Sequence, residues 1–312
     1  MIVDTTVQEK NITYPTDLKL YNKLIKRVWQ LAAKTGIKLR QSYKRTVKKI
    51  NALQRFCKSR LEQTRTQAIR GQRKLKTLAG RLLRDLTRKL PQALKTDYES
   101  FLALSDRLLK QKRTDRDKLY SLHEPSVSCI SKGKVNKKYE FGSKVSVVVS
   151  KVDNVVLGVS SFRGNPYDSH TLSASLSQAT SLTGGPIKKA IVDRGYQGVK
   201  QVGDSQIIGP KSNHESSKKS RLRYRQYFRR RAAVEGIISH MKHGYGMGRN
   251  YLKGELGDQV NCILSGVGFN LRSYLRKLSL ELKRIIYVLL KASLAGMLPA
   301  VCYNKTKPIS PF

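Results

Sequence analysis

The chain has 312 residues, and its 62 Lys and Arg outweigh 21 Asp and Glu, giving a formal net charge of +41. Hydrophobic residues make up 39% of the chain, enough for a folded core, so this charge is not the mark of a disordered tail. A surplus of this size repels itself unless a polyanion neutralises it, which excludes an ordinary near-neutral enzyme surface and points to nucleic acid; a ribosome-bound structural protein or a lysine-rich solvated surface shares the composition.

Residues 1–8 predict a short strand: Met1, Ile2 and Val3 lead into Asp4, and Thr5, Thr6 and Val7 are good strand formers. Pro15-Thr16-Asp17 predicts a helix start with Thr16 as the cap. From there to about Asp117 the pattern is helical and strongly basic. Leu20, Leu24, Val28 and Leu31 form one apolar series and Leu75, Leu78, Leu82, Leu83 and Leu86 another, with Arg and Lys on the remaining faces. Two to four helices are expected, with either a solvated basic face or contact to a DNA backbone as its use.

At about Tyr120 the texture changes. Tyr139–Ser150 and Val155–Phe162 alternate in part around Asp153-Asn154, as a β-hairpin does. Asp168 or Ser169 is expected to cap a helix that carries Leu172, Leu176 and Ala179 and ends at Gly184-Gly185-Pro186. Ala190-Ile191-Val192 reads as a buried strand ending on Asp193. A polar basic loop from about Ser212 to Ser220 leads to a helix over Tyr224–His243, stopped by Gly244, Gly246 and Gly248, and a further helix runs from Gln259 to about Ala292. The order predicts an α/β fold, a sheet covered by helices with its site at strand ends.

Four cysteines (Cys57, Cys129, Cys262 and Cys302) are too widely spaced for a C-x-x-C zinc site and read as buried free thiols of a reducing cytoplasm. No basic segment followed by an apolar run opens the chain, so no signal peptide is expected. The largely apolar stretch Ile285–Tyr303 is interrupted by Lys291 and Pro299, and reads as a buried or docking helix, not a membrane span.

Acidic residues are scarce, which draws attention to those at strand ends and on helix faces. Asp193 either faces the mouth of the sheet or forms a turn before Gly195, and Asp4 follows apolar strand residues. Phe228, Arg231, Glu235 and Lys242 are spaced by three, four and seven residues and share one helical face. Arg231 and Glu235 form either a weak surface pair or part of a site where Glu235 takes a metal and Arg231 and Lys242 take phosphate oxygens. His123 reads as a loop residue and Asp168 with His170 as a helix cap; Gly244-x-Gly246-x-Gly248 follows a helix and so lacks the context of a dinucleotide fingerprint.

These segments resemble the DDE transposases of bacterial insertion sequences, in the insertion-sequence-5 and insertion-sequence-4 group. That group carries Y-x2-R-x3-E-x6-K around its glutamate; here the residues are Phe228, Arg231, Glu235 and Lys242, with Phe in place of Tyr, which loses a hydroxyl. Ile191-Val192-Asp193-Arg194-Gly195-Tyr196 resembles the segment of the second acid, and Val3-Asp4-Thr5-Thr6 that of the first. The resemblance covers about residues 1–275. It implies a ribonuclease-H-like mixed sheet flanked by helices, with a long basic helical insertion after the first strand. The expected domains are 1–16 as first strand, 17–118 as insertion, 119–275 as the rest of the catalytic domain, and 276–312 as C-terminal helix and tail.

It further implies that Asp4, Asp193 and Glu235 bind two divalent metals, Mg²⁺ with Mn²⁺ able to substitute, and cut and rejoin DNA. Phe228, Arg231 and Lys242 would contact DNA. The expected partners are element ends, target DNA and further copies of the chain assembled on DNA, in a bacterial cytoplasm close to the nucleoid and away from membrane. Members of the group have a substantial region before the first acid, so the first strand is expected to lack much of its N-terminal half. A nuclease that cuts without joining and an inactive DNA-binding remnant are the alternatives.

Overall fold

The structure, a computed structural model, describes residues 1–112, 114–131, 137–210 and 218–297. It is a mixed α/β fold in which a seven-stranded mixed sheet is flanked by helices. Strand β1 (Ile2–Glu9) is followed by four helices, α1 (Asp17–Lys34), α2 (Lys44–Leu53), α3 (Glu62–Lys89) and α4 (Gln92–Lys110). Strands β2 (Ser128–Ile130), β3 (Glu140–Val149) and β4 (Val156–Phe162) come next, then α5 (Asp168–Thr183) and β5 (Lys189–Ile191). The short strands β6 (Gln201–Val202) and β7 (Ser205–Ile208), and the long helices α6 (Lys218–Gly244) and α7 (Gly254–Met297), complete the described chain.

The strand order is β2-β3-β1-β5-β7-β6, with β4 beside β3. β1 is central: it pairs antiparallel with β3 along all eight of its residues and parallel with β5 at Ile2 and Ile191. The first strand is therefore anchored on both sides. Its run Ile2, Val3, Val7 with interposed threonines suits a position buried on both faces. β4 is an edge strand, and its free backbone groups are met by side-chain amides. Asn270 on α7 accepts from Val156 N (2.8 Å) and donates to Val156 O (2.7 Å), while Gln259 accepts from Ser161 N (2.7 Å) and donates to Val159 O (3.0 Å). An edge covered in this way is closed to pairing with another strand.

Three apolar clusters hold the molecule. Leu20, Leu24, Val28 and Leu31 of α1 meet Leu75, Leu78, Leu82 and Leu86 of α3, making the core of the helical unit. Thr16 caps α1, accepting a hydrogen bond from Lys19 N, as the sequence predicts. One face of the sheet (Ile2, Val145, Val147, Ile191) packs on Val234, Ile237 and Met241 of α6; the other (Val3, Val148, Val192) packs on Leu172, Leu176 and Ala179 of α5.

Several expectations change. Residues 212–217 of the expected basic loop lie outside the described residues, and Lys218–Ser220 already belong to α6. α7 begins at Gly254, before the predicted Gln259, and runs unbroken past residue 275. From Ile285 to Leu290 its side chains are exposed, not buried, and residues 298–303 of that apolar stretch lie outside the description. Among the described residues no helix is long and apolar enough to cross a membrane. Cys262 is buried, which pushes its thiol up to about 12, whereas Cys57 and Cys129 are only half-buried; all three are free, and Cys302 lies outside the description.

Candidate active site

The parallel pairing of Ile2 with Ile191 sets the register of the two central strands. Two residues further along each chain, Asp4 and Asp193 leave neighbouring strands on the sheet face that α6 covers, because side chains alternate with period two. Asp193 follows the end of β5 and caps the short 3₁₀ turn Arg194–Tyr196, its Oδ1 accepting from Gly195 N at 2.8 Å. Asp4 Oδ1 accepts from Thr5 N at 2.8 Å.

Helix α6 crosses this face. Val234, Ile237, Ile238 and Met241 seat it on the sheet, which fixes the rotation that turns Arg231 inward. Arg231 Nη1 lies 3.7 Å from Asp4 Oδ2, and Nη2 lies 3.7 Å from Glu235 Oε1. One guanidinium thus spans a carboxylate of β1 and one of α6. Neither contact is short enough for a hydrogen bond, and the buried Nη1 has no hydrogen-bond acceptor among the described residues. The Arg231 and Asp4 side chains are 19% and 14% exposed while Glu235 is 70% exposed, so the group sits at the rim of the sheet with one open side.

Tyr196 joins the acids from below. Its ring is buried. Burial raises the pKa of its hydroxyl first, and the charges of Asp4, Asp168 and Asp193 raise it further. Three carboxylates therefore crowd one phenol. Asp168 is the member that sequence reasoning assigned otherwise, as a helix cap. The N-cap of α5 is Tyr167, without a side-chain bond, and Asp168 is the first helical residue. Its Oδ1 accepts from Thr5 Oγ1 (2.7 Å), 163 residues away, and from Lys144 Nζ (2.8 Å), whose ammonium also reaches Pro166 O (2.6 Å). The signal open to sequence reading was the pair Thr5 and Lys144, polar groups inside apolar strands. Glycine is required at 195, since a Cβ there would lie 2.4 Å from Asp168 Oδ2 and 3.1 Å from Asp193 Oδ1.

The remaining predicted residues are placed less centrally. The Phe228 ring packs against the apolar cluster under α6, 5.2 Å from the ring of Tyr224. Lys242 is half-buried seven residues beyond Glu235, about 10 Å along the helix axis. His123 lies in the loop between α4 and β2, paired through Nδ1 with Ser121 Oγ at 2.9 Å. A cleft of about 440 Å³ opens beside Asp193, with Lys189, Lys200, Tyr224 and Tyr227 among its walls. Among the described residues no three His, Cys, Asp or Glu side chains are gathered closely enough to hold a metal ion.

Residues 121–267 match the family model of the transposase DDE domain. The matched segment contains Asp193, Arg231 and Glu235 and begins after Asp4. A curated protein of Rhizobium meliloti, uncharacterized protein ORF8 in the nfe locus, is 53% identical over 47 residues, or 15% of this chain. The match covers 23% of that protein, so the chain spans less than a quarter of its length. No solved structure matches the chain.

Proposed function

We propose that the chain is a DNA transposase of the DDE type, with a ribonuclease-H-like catalytic domain interrupted by the basic helical unit α1–α4. The observation that carries this reading is Arg231, a buried guanidinium nitrogen without an acceptor set between Asp4 and Glu235. The match to the transposase DDE domain over the segment holding Asp193 and Glu235 supports it, as does the net charge of +41.

Asp4, Asp193 and Glu235 would hold Mg²⁺ or Mn²⁺. The chemistry of the donor set fits, because hard divalent cations take carboxylate oxygens. When bound, such a cation supplies Lewis-acid polarisation of the scissile phosphate and balances charge on the attacking and leaving oxygens.

The chain's own residues do the positioning. Arg231 offers its guanidinium, from the side left open at the rim of the sheet, to a non-bridging phosphate oxygen, a charge-assisted bond that holds the phosphorus beside the acids. Lys242, further along the same helix, takes a neighbouring phosphate, and Phe228 braces the helix against the sheet. Asp168, neutralised by Lys144, lies against Gly195 of the turn that presents Asp193. Water attacks phosphorus, the P–O3′ bond breaks, and the 3′-oxygen leaves as a hydroxyl; that hydroxyl then attacks a target phosphodiester in the same way. No covalent link to the protein is needed. Assembly as a homo-oligomer on DNA, near the nucleoid, belongs to the same reading.

A strand-transfer assay with the ends of the encoding element tests it. Wild type should yield joined products in Mg²⁺ or Mn²⁺ and none in EDTA, and Asp193→Asn should yield none. Cutting without joining would mean a nuclease instead, and Asp193→Asn retaining more than a tenth of wild-type cleavage would remove Asp193 from the site.

A further inference from the structure

The helical unit from Asp17 to Lys110 holds 26 Lys and Arg against six Asp and Glu. On α3 the cations are ordered. Ala68, Gly71, Leu75, Leu78, Leu82 and Leu86 are buried, which leaves Arg70, Lys74, Arg81, Arg84 and Arg88 in one exposed row. The row runs about 27 Å along the helix, comparable to the axial rise of roughly eight base pairs of duplex DNA. After Glu62 the helix has one acid, Asp85, and that acid is turned inward.

The use made of Asp85 gives the row a built cleft. Its Oδ2 accepts from Arg40 N at 2.7 Å, which fixes the loop between α1 and α2, while its Oδ1 pairs with Lys89 (3.4 Å) and more distantly with Arg88 (3.9 Å), leaving Arg81 and Arg84 without an acid among the described residues. Lys89 Nζ holds the same loop through Lys38 O at 2.8 Å, and Trp29 Nε1 holds it through Ser42 O at 3.0 Å. The pinned loop stands Arg40 and Tyr43 against Arg81, Arg84 and Arg88, enclosing a polar cleft of about 400 Å³. Among the described residues, the side chains of Arg40, Arg81 and Arg84 make no ion pair or hydrogen bond. Three unpaired guanidiniums on a scaffold already ordered by three hydrogen bonds bind an anion without first ordering a loop, and guanidinium forks suit phosphate oxygens.

We infer that this cleft, remote in sequence from the acids, is a second DNA-binding site, one that grips the phosphate backbone of a duplex through Arg40, Arg81 and Arg84, with Tyr43 packing beside it. The inference rests on the proposed transposase function for the identity of the polyanion.

The test uses the full chain and a fluorescein-labelled DNA duplex, with anisotropy read over a range of NaCl. The triple variant Arg40→Ala, Arg81→Ala, Arg84→Ala removes groups that make no internal hydrogen bond or ion pair, so its melting temperature should stay close to wild type. A control triple on α7, Arg272→Ala, Arg276→Ala, Arg284→Ala, loses the same charge. The cleft triple should weaken binding at least tenfold and lower the slope of log K against log salt by about 2–3, since each phosphate contact contributes roughly 0.9. The control should change both far less. Equal weakening by the two triples would mean that affinity follows net charge alone and would overturn the site, as would an unchanged slope. Glu235→Gln separates the two ideas: it should abolish cleavage and leave binding at the cleft intact, so the reaction can fail while the cleft stands, and the reverse.

Discussion

Arg231 and Asp4, 227 positions apart in the chain, lie 3.7 Å from each other where α6 crosses β1. The second guanidinium nitrogen reaches Glu235 at the same distance. An i,i+4 pair on a surface contributes a few tenths of a kcal/mol; in the proposed function this half-buried guanidinium, shared by two carboxylates, positions the scissile phosphate. Arg231→Ala should therefore lower cleavage by about 10²-fold or more, the scale for losing one preorganised charge donor. Arg231→Lys should recover part of it, because a point charge replaces the fork. Single-turnover cleavage of a labelled duplex checks this, and wild-type rates for Arg231→Ala would contradict it.

Gly195→Ala tests the turn that presents Asp193. The new methyl would meet Asp168 Oδ2 at 2.4 Å. Either carboxylate must move, so cleavage should fall at least tenfold while circular dichroism and melting stay near wild type. Full activity would mean that the positions of Asp168 and Asp193 do not matter.

Lys10 is buried at the end of β1, with its ammonium 2.7 Å from Asp258 and 3.3 Å from Glu124. Lys10→Met leaves two buried carboxylates without their cation, which should cost about 3–5 kcal/mol in denaturant unfolding. A loss below about 1 kcal/mol would show that these carboxylates take up protons without strain in the fold.

Asp85 carries a pH signature. The bond from Arg40 N, ahead of the nearby Lys89 and Arg88, holds its carboxyl below the usual carboxylate value of 3.8. A depressed folded pKa gives stability that is present above the unfolded value and is lost as pH falls through the folded one. Asp85→Asn should thus melt below wild type at neutral pH, and the gap should close on acidification below about pH 4. A gap that persists at acid pH would mean the carboxylate charge is not what fixes the loop.

Much of this molecule was legible in sequence. The cap at Thr16, the apolar stripes of α1 and α3, the hairpin around Asp153-Asn154 and the strand ending at Asp193 all follow from local pattern and appear where expected. Strands β2, β6 and β7 were not read, being three, two and four residues long, too short for alternation to show. Asp168 was misread because its partners, Thr5 and Lys144, are brought to it only by the sheet. The exposed apolar end of α7 follows from where the fold stops offering a surface to pack on, which periodicity does not encode.

The most direct test of the active site is nicking and joining of a supercoiled plasmid carrying the ends of the encoding element, with Mn²⁺ or EDTA, for wild type and Glu235→Gln. Metal-dependent cleavage and joining by wild type, abolished in Glu235→Gln with DNA affinity unchanged, is the predicted result. Equal cleavage by both proteins would contradict the assignment of Glu235 and, with it, the active site drawn around Arg231.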